Sequence, residues 1–233
     1  MSNSCRCPAC AEALHRRRFL GGGVLATALA AGSLMGGNRA LAQTTLSPAE
    51  ALDRMMAGND RFVHARLSSF EEDLAALKQA NTAKQEPFAA VLSCADSRVP
   101  VELVFDQSIG RLFVARVAGN IAFPDIIASL EYGAAVLGVR VIMVMGHEGC
   151  GAVKAAAAGK AVPGQISALY APLRPAVERS GGDVEAATKL NAQIQADLLA
   201  TASPVIADLV ATGKLKVVAA YYALATGKVT LLG

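Results

Sequence analysis

Apolar and polar residues alternate along this chain in blocks whose period changes from about 3.6 to a continuous run and back, which is the pattern of helices laid between buried strands. From Ala51 to Phe62 the apolar positions recur at helical spacing, and Ser47-Pro48-Ala49-Glu50 ahead of them is a capping box with Pro at the first helical position. A second capped helix is predicted from near Ser69, with Glu72 three residues on, to about Ala80. Three short apolar runs, Phe88 to Cys94, Leu112 to Val117 and Val139 to Gly146, read as buried strands. Between the last two, Pro124 opens a helix with Ile126, Ile127, Leu130, Ala134 and Leu137 at helical spacing. Gly149 to Ala158 reads as a helix start, followed by a turn at Pro163-Gly164 and a helix over Ala186 to Ala200. Ser203-Pro204 starts a short helix that Gly213 stops. Lys216 to Tyr222 and Val229 to Leu232 close the chain as two strands around a Thr226-Gly227 turn. Strands alternating with helices predict an α/β fold, a central and mostly parallel sheet flanked by helices, with no internal repeat.

The first forty-odd residues follow another pattern. A basic cluster, Arg16-Arg17-Arg18, precedes an uncharged stretch from Phe19 to Gly37, and Ala40-Leu41-Ala42 has the small-x-small form that a signal peptidase cuts after. The stretch is too short and too rich in Gly and Ala for a span of roughly 20 strongly apolar residues, the alternative being an uncleaved membrane anchor. Paired arginines followed by x-Phe-Leu resemble the twin-arginine export signal, which carries proteins across a membrane already folded. The expectation is a signal peptide over residues 1–42, cleaved near Ala42/Gln43, and a single domain over 43–233. The domain would be periplasmic or secreted, with the twin-arginine export machinery as a partner and no membrane in the mature form.

Composition agrees with a packed domain: 53% of the 233 residues are apolar and 18% charged, which excludes a disordered tail or an extended basic arm. Removing residues 1–42 takes away five of the 22 basic and one of the 19 acidic residues, leaving 17 against 18. A near-neutral mature chain gives no electrostatic case for nucleic acid or an anionic membrane as partner. Cys5, Cys7 and Cys10 leave with the signal and the sequence assigns them no role, so the mature chain keeps only Cys94 and Cys150. In an oxidising compartment these two could pair, but their surroundings argue for other chemistry.

That chemistry sits where the first and third strands end. Open parallel sheets place ligand sites beyond the carboxyl ends of their strands, so Cys94-Ala-Asp96-Ser-Arg98 and His147-Glu-Gly-Cys150 are predicted to face one another. Two thiolates, an imidazole and a carboxylate suit a tetrahedral zinc ion. Taken singly, a His-x-x-Cys pair, a buried Cys and an Asp-Ser-Arg ion pair are ordinary features of a core or a helix start. The mature chain has only one other Cys or His, His64, which reads as a surface residue on or after the first helix.

The two segments Cys94-Ala-Asp-Ser-Arg-Val-Pro100 and His147-Glu-Gly-Cys-Gly151 resemble the signatures of the beta-class carbonic anhydrases. The resemblance extends through residues 56–62, 110–120, 129–132 and 217–222, and so over nearly all of the mature chain. It implies that Cys94, His147 and Cys150 hold one zinc ion, that Asp96 and Arg98 form a catalytic dyad, and that the domain hydrates carbon dioxide reversibly to bicarbonate and a proton. It also implies that Gln85 hydrogen-bonds substrate, that Phe113, Ala118, Tyr132 and Gly151 line the pocket, and that the protein is a homodimer or higher homo-oligomer. Two thiolates cancel the charge of zinc, so bound water should ionise less readily than in a three-His site and activity should favour alkaline pH. Asp96 is either a fourth ligand in a closed state or is held off by Arg98. In relatives the closed state accompanies bicarbonate bound beside a Trp three residues before the first Cys ligand; here that position is Val91 and the chain has no Trp, so a bidentate Arg98–Asp96 contact is expected.

The chain departs from the family pattern at Val117, where an Asn is common, and at Arg111, where an Asp is frequent. Relatives that hydrolyse carbon disulfide or carbonyl sulfide share these ligands, so the substrate stays open between them. A non-catalytic zinc-binding protein would use the same ligands but needs four closed positions and no pocket. A thiol redox protein would pair Cys94 with Cys150, yet the mature chain lacks a Cys-x-x-Cys and such a role leaves His147 and Asp96 unexplained.

Overall fold

In a computed structural model, which describes residues 44–69, 71 and 74–233, a five-stranded sheet runs in the order β2-β1-β3-β4-β5. The signal-peptide reading, its cleavage point and Glu72 of the second predicted cap lie outside the described residues. Strands β1 (Ala89–Ser93), β2 (Leu112–Arg116), β3 (Val141–His147) and β4 (Lys216–Tyr222) are parallel, and β5 (Val229–Leu232) turns back antiparallel to β4. Every residue of β1 and β3 is buried, because helices cover both faces of the central strands; this is why their sequences are unbroken apolar runs.

Side chains still divide between the faces with a period of two. Val91, Met143 and Met145 join Met55 and Phe105 in one apolar cluster, beneath α1 (Pro48–Val63) and α3 (Val101–Val104). Leu92, Ile142 and Val144 join Leu130, Leu199 and Ile206 in the other, beneath α4 (Pro124–Ala135), α7 (Val184–Ala202) and α8 (Pro204–Ala211). Three further helices complete the chain: α2 (Leu74–Ala80), α5 (Gly151–Ala158) and α6 (Tyr170–Arg179), the last entered through a 3-10 turn over Gly164–Leu169. Among the described residues no single helix is long and apolar enough to cross a membrane.

The predicted capping box forms: Ser47 Oγ accepts from the Glu50 amide at 3.2 Å while the Glu50 carboxylate accepts from the Ser47 amide at 2.7 Å. The second helix begins at Leu74 instead of near Ser69. Asp106 is the reason, because its carboxylate takes the amides of Ser68 and Ser69 at 2.9–3.1 Å together with the Arg61 guanidinium, holding that segment outside a helix. Helices α3 and α6 have no counterpart in the sequence reading. The first is only four residues long, and the second carries Pro175 in its interior, a residue that ordinarily breaks a helix.

Asn59 locks the first helix to the rest. Only 3% exposed, it donates to the carbonyls of Val104 at 3.1 Å and Gly227 at 2.9 Å and accepts from the Val229 amide at 2.8 Å, joining α1, α3 and the β4–β5 turn. Beside it, a Cβ on Gly58 would stand 1.8 Å from the Phe105 carbonyl oxygen, so the two helices meet at a distance only glycine permits. Asn59→Ala would leave three backbone groups buried without partners and is expected to lower unfolding free energy by about 3 kcal/mol in urea titrations, against no measurable change for the exposed Asp53→Ala. Equal stability of the two variants would show that these bonds do not lock the fold.

Candidate metal centre

Cys94 is the first residue beyond β1, His147 the last of β3 and Cys150 the residue capping the start of α5. The parallel register sets Ser93 beside Met145, so Cys94 and His147 emerge at the same end of neighbouring strands. Gly149, at φ +64°, reverses the chain between His147 and Cys150. The ligand atoms of Cys94, His147 and Cys150 all lie within 4.8 Å of one another, and all three residues are buried. Both cysteines are free thiols, not a disulfide.

His147 supplies the decisive detail. Its Nδ1 lies 3.0 Å from the Glu148 carbonyl oxygen, a position only a protonated nitrogen satisfies, so Nε2 carries the lone pair in the neutral ring. Nε2 is buried with no hydrogen-bond partner. A buried acceptor left unpaired costs free energy unless something else takes the lone pair, and here two sulfurs flank it. Two sulfurs and an imidazole nitrogen, converging from two loops, are a donor set suited to zinc.

The two thiols are shifted in opposite directions. A hydrogen bond from Cys150 lowers the Cys94 thiol far below its ordinary value against the effect of burial, with help from the Gly119 amide, which points at Sγ from 3.3 Å. The same hydrogen bond, together with burial, pushes Cys150 up.

Asp96 stands beside the triad, with Oδ2 3.8 Å from His147 Nε2. Arg98 grips it at both oxygens, Nε to Oδ1 at 2.9 Å and Nη2 to Oδ2 at 2.8 Å, and the Arg98 amide adds a third bond to Oδ1 at 2.9 Å. Those guanidinium bonds outweigh partial burial and hold the carboxyl well below its usual range. Arg116, which the sequence reading left without a role, fixes the backbone underneath, donating to the carbonyls of Cys94 at 3.0 Å and Asp96 at 2.6 Å. Its position at the end of β2, level with Ser93, was the available signal.

Comparison with known proteins agrees with this geometry. The family model described as carbonic anhydrase matches residues 89–229. The chain is 33% identical over 193 residues to carbonic anhydrase 2 of Mycobacterium tuberculosis, covering 79% of this chain and 93% of that protein. It is 35% identical over 199 residues to a carbonic anhydrase of Mycolicibacterium smegmatis, with the same coverage. The chain belongs to the carbonic anhydrase family. Among solved structures, the beta-carbonic anhydrase of Coccomyxa is similar with a TM-score of 0.61 and 26% identity, over 80% of this chain and 86% of that one. One from Sordaria macrospora shares the fold, with a TM-score of 0.63 and 24% identity, over 79% and 95%.

The other carbonic anhydrase positions named from the sequence divide into two groups. Gly151 follows Cys150 as the first residue of α5, and Ala118 precedes Gly119 in the turn beneath Cys94. Phe113 and Tyr132 pack against each other, ring centroids 6.4 Å apart, but Phe113 lies beside Ala90, four residues before Cys94, or about 13 Å back along the strand. Gln85 is exposed in the loop leading into β1, at the end of the sheet opposite the triad. Within one chain, then, these three do not meet the ligands. Val117, the departure from the family's Asn, packs its side chain between the α4–α7 cluster and the cluster around Cys94, where an aliphatic group fits. Arg111, the other departure, is exposed, as is His64 at the end of α1. Val91 is fully buried in the core beneath α1.

Proposed function

We propose that the protein is a zinc enzyme that catalyses the reversible hydration of carbon dioxide to bicarbonate and a proton. The observation that carries this reading is the buried, unpartnered Nε2 of His147 between two cysteine sulfurs, beside a carboxylate that an arginine holds at both oxygens. When bound, zinc supplies Lewis acidity that lowers the pKa of water and so provides the nucleophile. Cys94, His147 and Cys150 would hold it, the two cysteines as thiolates. Asp96 accepts a hydrogen bond from the nucleophile and aims its lone pair, while Arg98 keeps the carboxylate from turning further toward the ligands. Because Cys94 and Cys150 together bring two negative charges, the rate should rise toward alkaline pH.

A second copy of the chain completes the pocket in this reading. Gln85, Phe113 and Tyr132 lie at the far end of the sheet from their own chain's triad, and Tyr132 is 47% exposed, a large aromatic surface for one chain to leave open. A homo-oligomer that brings these three over a neighbour's triad gives Gln85 a carbon dioxide oxygen to donate to and supplies the apolar wall.

Stopped-flow carbon dioxide hydration by metal-loaded protein tests the reading. The wild type is expected to be active with one zinc per chain, Arg98→Ala to lose about 100-fold or more in rate with its zinc retained, and Cys150→Ser to lose the zinc. Activity on carbonyl sulfide or carbon disulfide with none on carbon dioxide would move the enzyme to the hydrolases that share this fold. Zinc binding with no activity on any of the three would leave a binding protein.

We further propose that residues 1–42 direct export by the twin-arginine route, in support of which stand the arginine pair before x-Phe-Leu and the Ala-x-Ala site. Folding before export lets zinc occupy the thiols before they meet an oxidising compartment. Replacing Arg16 and Arg17 with Lys is expected to trap the precursor inside the cell, whereas the wild type yields a mature chain beginning at Gln43. Unchanged export of the double variant would refute the route.

A further inference from the structure

Helix α7 turns an unusual face toward the sheet. Its buried residues are Ala187, Thr188, Asn191, Ala192, Gln195, Ala196 and Leu199, so two amide side chains, at i and i+4, sit in an otherwise small and apolar stripe. Asn191 is 0% and Gln195 2% exposed. Buried amides are costly unless every polar atom is used, and here all four are. Asn191 Nδ2 donates to the Gly119 carbonyl at 2.8 Å, Gln195 Nε2 donates to Asn191 Oδ1 at 3.2 Å, and Gln195 Oε1 accepts from the Ala122 amide at 2.9 Å.

The two side chains thus clamp both ends of the turn at residues 119–122. That turn does not hold its own shape cheaply. Gly119 and Asn120 are successive left-handed residues, at φ +79° and +44°, and Asn120 is fully buried with neither side-chain amide atom partnered among the described residues. Gly119 thus carries both bonds, on the two peptides that flank its Cα: its carbonyl accepts from Asn191, and its amide points at Cys94 Sγ from 3.3 Å. An N–H held on a thiolate withdraws charge from it, and where two thiolates share one metal that withdrawal sets how much positive character the metal keeps.

We propose that Asn191 and Gln195 are positioning residues of the metal centre: by fixing the Gly119 carbonyl and the turn that follows it, they orient Gly119 so that its N–H stays on the Cys94 thiolate, and so limit the charge that sulfur gives to zinc. The assignment rests on the zinc reading above. The test uses cobalt(II) in place of zinc in the full mature protein, because cobalt bound to thiolate absorbs through sulfur-to-metal charge transfer. Asn191→Leu, which keeps the volume but removes the donor to Gly119, is expected to shift that absorption to lower energy and to lower kcat about 10–100-fold with KM little changed. Gln195→Met, which leaves the Asn191–Gly119 bond but releases its support, is expected to shift the band the same way by less, and gives a reading if the first variant folds poorly. Leu199→Ala weakens α7 packing two turns from Asn191 and should leave the band where it is. A wild-type band that stays in place in both amide variants, or moves equally in Leu199→Ala, would overturn the positioning role while leaving the metal site intact. A wild type with no charge-transfer band would overturn the zinc reading itself.

Discussion

The structure depends on one constraint: the lone pair of a fully buried imidazole nitrogen must be satisfied by something other than a protein hydrogen bond. His147 Nδ1 is committed to the Glu148 carbonyl, which leaves Nε2 without a partner inside the core. Such an arrangement persists only if the fold brings compensating groups to the same point. The parallel register of β1 and β3 does so, by bringing both strands out at the same end of the sheet and setting the ligand atoms of Cys94, His147 and Cys150 within 4.8 Å of one another. Helices on both faces of these strands keep solvent away, and α1 is tied into that arrangement by Asn59 through groups far apart in sequence.

Charge at the site is managed in layers. Cys94 and Cys150 share a hydrogen bond that favours the anion at Cys94 and the thiol at Cys150. Arg98 neutralises Asp96 and fixes its orientation, and Arg116 fixes the backbone carrying both Cys94 and Asp96. A further layer runs through α7 to the Gly119 amide. Each layer acts on the one inside it through a hydrogen bond of ordinary length, so the geometry of the ligands is set by groups that are not ligands themselves.

Much of this was legible in the sequence, for identifiable reasons. Strands buried on both faces must be continuously apolar, so β1 and β3 stood out, and the site follows because parallel strands open their ligand positions at the carboxyl ends. The capping box at Ser47, the prolines at the starts of α4 and α8 and the Gly213 stop marked α1, α4 and α8 by local chemistry alone. What escaped was non-local. The start of α2 depends on Asp106, some 37 residues from Ser69, and nothing near Ser69 announces it. The roles of Arg116 and of the two α7 amides appear only when the turn at residues 119–122 is folded beneath Cys94. The positions of Gln85, Phe113 and Tyr132 at the opposite end of the sheet follow from strand direction, which spacing along the chain does not record.

X-ray absorption at the zinc edge of the mature, metal-loaded protein at neutral pH tests the central claim most directly, because it counts the atoms that complete the buried imidazole's surroundings. The account predicts two sulfur scatterers at about 2.3 Å, one imidazole nitrogen at about 2.0 Å and one further light atom. A shell with fewer than two sulfurs, or one lacking the outer-ring scattering of an imidazole, would contradict it.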